Sequence, residues 1–258
     1  MERFNDLMDD MKEALTLSHR YKGLFLPALI ANLIMLILGF VMFFVVIIFV
    51  MGTIISFSSL ETNWSYLMGI AAITILLILV FSLIFMALDL GINSIVIGSV
   101  NGEKPTVQIF FKGIRKFFFK VLITKFGLFF LYTIGFIILL VPYILYLLTI
   151  GVLTGGYGIL FLTCLLQAFL GSWTLLLMEN EDYPMSGFSS VAMNFKFGKK
   201  YFWLMILVFF TQLQLTAYLP GLLGFLGATL ATLFISYVVM TVFKIVVLLT
   251  YRRYKETI

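Results

Sequence analysis

The amino-acid sequence predicts an all-α membrane protein with six transmembrane helices. Of its 258 residues, 62% are hydrophobic and only 11% are charged, whereas about half and about a quarter are usual in soluble domains. The hydrophobic residues also occur in long runs, so we expect these runs to face lipid. The predicted organisation is a single domain, in which residues 1–22 form a cytoplasmic amphipathic helix and residues 23–258 form a six-helix transmembrane domain.

Six hydrophobic runs are long enough to cross a hydrocarbon core about 30 Å thick, which takes about 20 helical residues. These predicted spans, numbered one to six, cover residues 24–50, 67–97, 126–148, 159–178, 201–219 and 223–249. Strands of a membrane barrel would have about ten residues of alternating polarity, and these runs do not alternate. A signal peptide is not expected, because a segment rich in acids and bases precedes the first run.

The positions of lysine and arginine predict the orientation, because loops rich in these residues stay in the cytoplasm. All 17 of them lie before span one, between spans two and three, between spans four and five, or near the end of span six and beyond it. The connections on the opposite side carry Glu61 as their only charge. The sequence therefore predicts a multi-pass protein with both termini in the cytoplasm.

A short amphipathic stretch precedes each pair of spans. Apolar residues recur at helical spacing in residues 4–15, 107–121 and 188–195. Helices of this kind lie in the plane of the membrane surface, so we expect an in-plane helix plus a hairpin of spans, three times over. The first stretch is acidic and the second is basic, and we hypothesise that the first docks against the second.

Basic residues of the second and third stretches are candidate contacts for anionic lipid headgroups, each contributing about 1 kcal/mol near such a surface. These candidates are Lys112, Arg115, Lys116, Lys120, Lys199 and Lys200. The alternative is that the charges only set the topology, which requires no ligand and is the favoured interpretation. Cytoplasmic placement also accounts for the net charge of +5 without a nucleic-acid partner.

Asp89 in span two and Lys244 in span six are the ionisable residues predicted at membrane depth. An ionisable group there costs at least about 2.5–3.5 kcal/mol, so each suggests a function. Three interpretations are open at this point. Both groups are solvated at the interface, or the two groups form an ion pair, or Asp89 binds a cation or proton in a transport path. Together with Asn93, one turn beyond Asp89, and Gln167 in span four, they form the candidate intramembrane polar site.

Catalytic, cofactor and metal sites are not predicted. The chain has one histidine and one cysteine, which excludes a His/Cys metal cage and an intrachain disulfide. His19 is expected at the interface, and Cys164 is expected to pack among apolar residues. Residues 179–182 contain three carboxylates, which are interpreted as a solvated loop because their spacing matches no calcium loop; a divalent-cation site is the alternative. An enzyme is therefore not expected.

Three segments together resemble a known family. They are Asn101–Pro105 with the basic aromatic stretch that follows, Val141–Pro142 late in span three, and Ser190–Trp203 at the entry to span five. These segments are similar to those of bacterial six-helix integral membrane proteins related to the membrane domain of glycerophosphoryl diester phosphodiesterase. The resemblance implies a six-helix fold in a bacterial cytoplasmic membrane. It does not imply phosphodiesterase activity, because the acid and histidine ligands of that catalytic domain have no counterpart in this sequence.

Two classes of function are compatible with these features. The first is a non-enzymatic accessory, scaffold or immunity-type factor that acts through contacts with helices, lipid or a membrane-protein partner. The alternative is a transporter or permease-like subunit that moves a small solute, peptide or lipid. The permease-like subunit would be coupled to a cytoplasmic ATPase. A conduit predicts a polar seam through several spans. The polar residues here number only one or two per span, which favours the accessory function.

Overall fold

The computed structural model describes residues 2–58, 64–146, 164, 167–180, 186–218 and 224–256. Within these ranges the chain is almost entirely helical and contains no strand, so the predicted all-α class is confirmed. The helices are α1 (Glu2–Arg20), α2 (Phe25–Ser58), α3 (Trp64–Val100), α4 (Val107–Tyr146), α5 (Trp173–Glu179), α6 (Gly187–Lys200), α7 (Phe202–Tyr218) and α8 (Gly224–Glu256). A short 3-10 turn, Lys22–Leu24, joins α1 to α2.

The length and composition of α3 suit a membrane crossing. Among the described residues, one stretch, Ala71–Val100 within α3, is long and apolar enough to cross a membrane, and a shorter apolar helix covers Phe202–Gln212. The remaining five predicted spans include residues or side chains outside the described part of the chain. The six-span arrangement therefore stays a prediction.

Local sequence explains where the first helices begin and end. Pro27 lies in the first turn of α2, where a backbone N–H has no helical partner to lose. Gly102 has a φ of 85° in the turn between α3 and α4, a conformation that glycine adopts without steric cost. The Tyr21 hydroxyl donates to the Gly102 carbonyl at 3.1 Å. The α1–α2 connection therefore lies against the α3–α4 turn.

The second amphipathic stretch is not a separate helix, which corrects the expectation of three separate in-plane helices. It is continuous with span three in the 40-residue helix α4. No proline lies between positions 107 and 141, and Gly113, Gly127 and Gly135 alone do not end a helix. By contrast, Tyr201 leaves helical geometry and separates α6 from α7. The segment at Pro142 is helical, and its side chain is outside the described part of the structure.

Helices α3 and α4 pack closely because two glycines remove side chains from their interface. The Phe110 ring occupies the position that a Cβ atom of residue 91 would need, and the Ser94 side chain does the same at Gly113. The Ser94 hydroxyl donates to the Ile109 carbonyl at 2.8 Å. The basic stretch of α4 is therefore fixed against α3.

The core lies toward the C-terminal ends of α3 and α8. Most of the described large apolar side chains of α3 are exposed up to Phe85, whereas most side chains from Met86 onward are buried or half-buried. Helices α1, α5 and α6 and the start of α7 complete this core. Its fully buried members include Ile95, Leu176, Phe197, Met205, Ile245, Leu248 and Tyr251.

Replacing Gly198 by alanine is expected to destabilise the fold by about 1–3 kcal/mol, the usual cost of an overpacked core position. A Cβ atom there would lie 2.5 Å from the carbonyl oxygen of Ala168, and a backbone atom cannot rotate away. The matched control is Gly39→Ala in α2, where no atom lies within 4 Å and alanine is the better helix former by up to about 1 kcal/mol. Thermal unfolding in detergent tests the pair, and equal melting temperatures would contradict the packing described.

Candidate functional site

The four residues of the predicted intramembrane polar site line one cavity. Asp89 and Asn93 reach it from α3, Lys244 from α8, and Gln167 from the helical segment that precedes α5. The cavity has a volume of about 140 Å³. The structure therefore brings together side chains that lie up to 155 residues apart in the sequence.

An ion pair forms the centre of this site. The Lys244 ammonium donates to Asp89 Oδ1 at 2.5 Å and to Asn93 Oδ1 at 2.6 Å. The two charged side chains are largely buried, with exposed fractions of 16% for Lys244 and 21% for Asp89. The sequence left three interpretations of Asp89 and Lys244 open. The structure has the ion pair between the predicted second and sixth spans.

Thr174 of α5 extends the pair into a network that sequence analysis missed. Asn93 Nδ2 donates to Thr174 Oγ1 at 3.2 Å and to Asp89 Oδ2 at 3.3 Å, and Thr174 Oγ1 lies 3.4 Å from the same carboxylate oxygen. The carboxylate thus receives donors from α3, α5 and α8. The network neutralises its charge and ties three helices together.

A helix break lies beside the cavity. Residues 167–170 are helical, Gly171 and Ser172 form a turn, and α5 begins at Trp173. Gly171 and Ser172 both line the cavity, and the buried Oε1 atom of Gln167 has no hydrogen-bond partner among the described residues. The sequence signal for this break is the pair Gly171-Ser172 inside an apolar run, since such pairs commonly interrupt helices.

A second polar network fastens the C-terminal end of α8. Arg252 Nε donates to Glu179 Oε1 at 2.7 Å and Arg252 Nη2 donates to Glu179 Oε2 at 3.1 Å, a two-pronged pair. Arg252 Nη2 also donates to Asn101 Oδ1 at 2.6 Å. Asn180 Nδ2 donates to the Tyr251 hydroxyl at 2.7 Å. These bonds join α8 to the C-terminal ends of α3 and α5.

The interpretation of residues 179–182 as a solvated loop is wrong for Glu179. Its side chain is 11% exposed and is paired with Arg252, so it belongs to the packed interior. Glu181 and Asp182 lie outside the described residues. Among the described residues, no group of three or more histidine, cysteine, aspartate or glutamate side chains is placed to hold a metal.

The acidic first helix docks on α8, and the hypothesis that it docks on the basic second stretch is wrong. Arg253 Nη1 donates to Asp6 Oδ1 at 3.1 Å, and Arg253 Nε lies 3.0 Å from Asp10 Oδ1. The Thr250 hydroxyl donates to Asp10 Oδ2 at 2.9 Å. Leu7 and Ala14 of α1 are buried in the cluster that contains the apolar residues of α8, which places α1 beside Arg253, whereas Lys112, Arg115 and Lys116 of α4 are exposed.

The apolar residues of α1 divide between two sides. Leu7 and Ala14 are buried against α8, while Phe4, Met8 and Leu15 are exposed. Docking through Asp6 and Asp10 therefore leaves an apolar face of α1 uncovered, as an in-plane helix requires.

The basic candidates for lipid contact lie on two helices. Lys112, Arg115 and Lys116 border an open groove on α4, and Lys120 is half-buried one turn further on. Lys199 is exposed on α6, and the Lys200 ammonium lies 4.9 Å from the centre of the Tyr254 ring. Their role in lipid contact stays a prediction.

The stability of the chain is expected to fall as the pH rises through the titration of Asp10. Burial raises the pKa of this carboxyl above its usual 3.8, against the opposing effects of the Thr250 hydroxyl and the Arg253 charge. The folded state therefore binds more protons than the unfolded state from about pH 4 up to the raised pKa, and stability declines over that window.

The variant Asp10→Asn is expected to lack this decline. Its melting temperature relative to the unmodified chain is expected to rise between pH 4 and pH 7 in detergent. Asp9→Asn, which removes an exposed carboxylate from the same helix, is the control. A difference for Asp10→Asn that is constant or falls with pH would contradict the assignment.

Comparison with protein-family models, with characterised proteins and with solved structures gave no match. The resemblance to the membrane domain of glycerophosphoryl diester phosphodiesterase stays a prediction from the sequence.

Proposed function

We propose that this chain is a non-enzymatic integral protein of a bacterial cytoplasmic membrane, an accessory, scaffold or immunity-type factor that acts through lipid and helix contacts. The proposed topology has six spans and two cytoplasmic termini. The observation that carries the proposal is that the charges at the candidate site neutralise each other and leave a cavity of only about 140 Å³.

The size of this cavity favours a structural role for the site. Pockets that hold organic ligands usually measure about 300–1,000 Å³, and this cavity is smaller. Lys244 and Asp89 also use each other as partners, which leaves no uncompensated charge to attract a solute. A network of this kind fixes the relation of α3, α5 and α8 and supports the role of a rigid scaffold.

The surface supports a function through lateral contacts. Large apolar side chains are exposed along α2 and along the first half of α3, including Phe40, Phe43, Phe44, Ile73, Leu76 and Leu79. Soluble proteins rarely expose apolar patches of this extent, and such patches mark interaction with lipid or with a partner. A partner helix or lipid is therefore the expected occupant.

Purification from native membranes tests the proposal. The tagged chain, extracted in polymer nanodiscs, is expected to retain a defined protein partner or a defined lipid set that mass spectrometry identifies. The double variant Asp89→Asn/Lys244→Met keeps the shape of the site without its charges and is expected to retain the same partners. Recovery of the chain with the same protein and lipid background as an unrelated six-span protein would contradict the proposal.

A transport component is the second candidate, favoured by the helix break at Gly171 and Ser172 beside the polar cavity. Interrupted helices and polar residues occur together at the substrate sites of transporters. In this conformation the cavity has room for water-sized species, and hence for a proton or an ion. The chain is expected to give no ion flux in proteoliposomes; a flux that Asp89→Asn abolishes would favour transport.

A further inference from the structure

Two cavities of opposite character meet at the start of α4. A polar cleft of about 120 Å³ lies between the end of α3 and the start of α4, and its lining includes Asn101 and Glu103. An open groove of about 860 Å³ runs over the adjacent surface of α4 and is mainly apolar. Both cavities are bordered by Lys112 and Lys116. A molecule that filled both would have a polar end, an apolar end and a negative charge between them.

We propose that the cleft and the groove bind one molecule of an anionic phospholipid with a hydroxylated headgroup. The phosphate lies between Lys112 and Lys116, and an acyl chain lies along the groove over Val107, Phe111 and Ile114. Headgroup hydroxyls donate to Glu103. This inference rests on the membrane location of the proposed function and names the lipid contact on that surface.

The two lysines are placed to hold one phosphate. They are four residues apart on α4, so their side chains emerge one above the other on the same helix face. Both are exposed, as a site for a headgroup in the interfacial region requires. Because α4 packs tightly on α3 through Gly113 and Ser94, the two lysines have a fixed position relative to the cleft.

Glycine shapes the polar end of the site. A Cβ atom on Gly98 would lie 3.2 Å from Glu103 Oε2, so the glycine leaves room for the carboxylate to reach over the end of α3. Arg252, which is paired with Glu179, donates to Asn101 Oδ1. The cleft thus presents the Glu103 carboxylate, whose oxygens accept hydrogen bonds from hydroxyl groups.

Charge complementarity selects the class of headgroup. Lys112, Lys116 and Arg115, which borders the groove, supply three positive charges, and Glu103 supplies one negative charge. The excess of positive charge favours an anionic phosphate, and the carboxylate favours a headgroup with hydroxyl donors, as in phosphatidylglycerol. The bordering apolar residues Val107 and Phe111 are 68% and 60% exposed, and an acyl chain covers them.

Lipid binding to the purified, delipidated chain tests the proposal. Phosphatidylglycerol added to detergent micelles is expected to raise the melting temperature, and native mass spectrometry is expected to show one retained lipid; phosphatidylcholine at the same mole fraction is expected to do neither. The double variant Lys112→Gln/Lys116→Gln is expected to bind phosphatidylglycerol about thirtyfold more weakly. The control Lys22→Gln/Lys196→Gln removes two exposed charges that lie outside α4 and is expected to bind as the unmodified chain does.

Three results would overturn the proposal. Equal weakening in the control pair would mean that only the overall charge matters. Equal binding of phosphatidylcholine would mean that the headgroup is not recognised, and equal stabilisation by glycerol 3-phosphate would mean that the groove is not used. Because binding is measured on purified protein, its failure leaves the partners recovered from native membranes, and hence the proposed function, unaffected.

Discussion

Replacing Lys244 by methionine is expected to destabilise the chain by about 3–5 kcal/mol, the cost of leaving a buried charge without its partner. The substitution removes the donor to Asp89 Oδ1 and to Asn93 Oδ1. Asp89, whose side chain is 21% exposed, would then keep its carboxylate in an apolar surrounding with only weak donors. Thermal unfolding in detergent, followed by tryptophan fluorescence, measures the loss.

The double variant Asp89→Asn/Lys244→Met is expected to recover most of that stability. It removes both charges and keeps the shape of the site, and neutral replacements of buried pairs are often tolerated. The two single variants and the double variant form a cycle in which the coupling energy is the measured quantity. Strictly additive effects would show that the two residues do not interact.

Replacing Arg252 by alanine is expected to cost about 2–3 kcal/mol, which is less than for a fully buried pair because the Arg252 side chain is 30% exposed. Glu179 would lose both of its bonds to the guanidinium, and Asn101 would lose one. The stability of Arg252→Lys is expected to lie between that of the unmodified chain and that of Arg252→Ala, because a lysine keeps the charge but not the planar guanidinium.

Lys12→Ala provides the matched control for Arg252→Ala. Lys12 pairs with Asp9 at 3.6 Å, but the two side chains are 74% and 61% exposed. Such a surface pair contributes about 0–1 kcal/mol, so its loss is expected to shift the melting temperature little. If Arg252→Ala were no more destabilising than Lys12→Ala, the network at the end of α8 would have no structural role.

The two networks fasten α8 to the same pair of helices at two levels. Lys244 reaches α3 through Asp89, and Arg252 reaches the end of α3 through Asn101. The two cations lie eight residues apart, or about 12 Å along the helix. Helix α5 joins the first network through Thr174 and the second through Glu179. Two separate attachments prevent α8 from rotating or sliding against α3 and α5.

The sequence predicts the helices well because their signal is local. A long apolar run with few charges has few alternatives to a helix, and turn residues such as Gly102 mark where helices end. Asp89 and Lys244 are equally visible, since an ionisable residue in an apolar run is costly wherever it lies. Asn93 follows Asp89 by one turn, so both side chains lie on one face of α3.

The partners of these residues are not visible in the sequence, because packing between helices decides them. Asp10 and Thr250 lie 240 residues apart, and the charge pattern alone does not distinguish Arg253 from the basic residues of α4. The local sequence around Glu179 does not distinguish a solvated carboxylate from a paired one. The continuity of α4 depends on the absence of proline and on packing against α3. The helical spacing of apolar residues does not show where a helix ends.

Cysteine accessibility tests the proposed six-span topology most directly. The buried Cys164 is first replaced by alanine, and single cysteines are then introduced as Ser59→Cys, Gly155→Cys, Lys104→Cys and Lys255→Cys. In intact bacterial cells, a membrane-impermeant maleimide is expected to label the first two, while the last two are labelled only after lysis. Labelling of Lys104→Cys or Lys255→Cys from outside, or protection of Ser59→Cys and Gly155→Cys until lysis, would contradict the six-span topology.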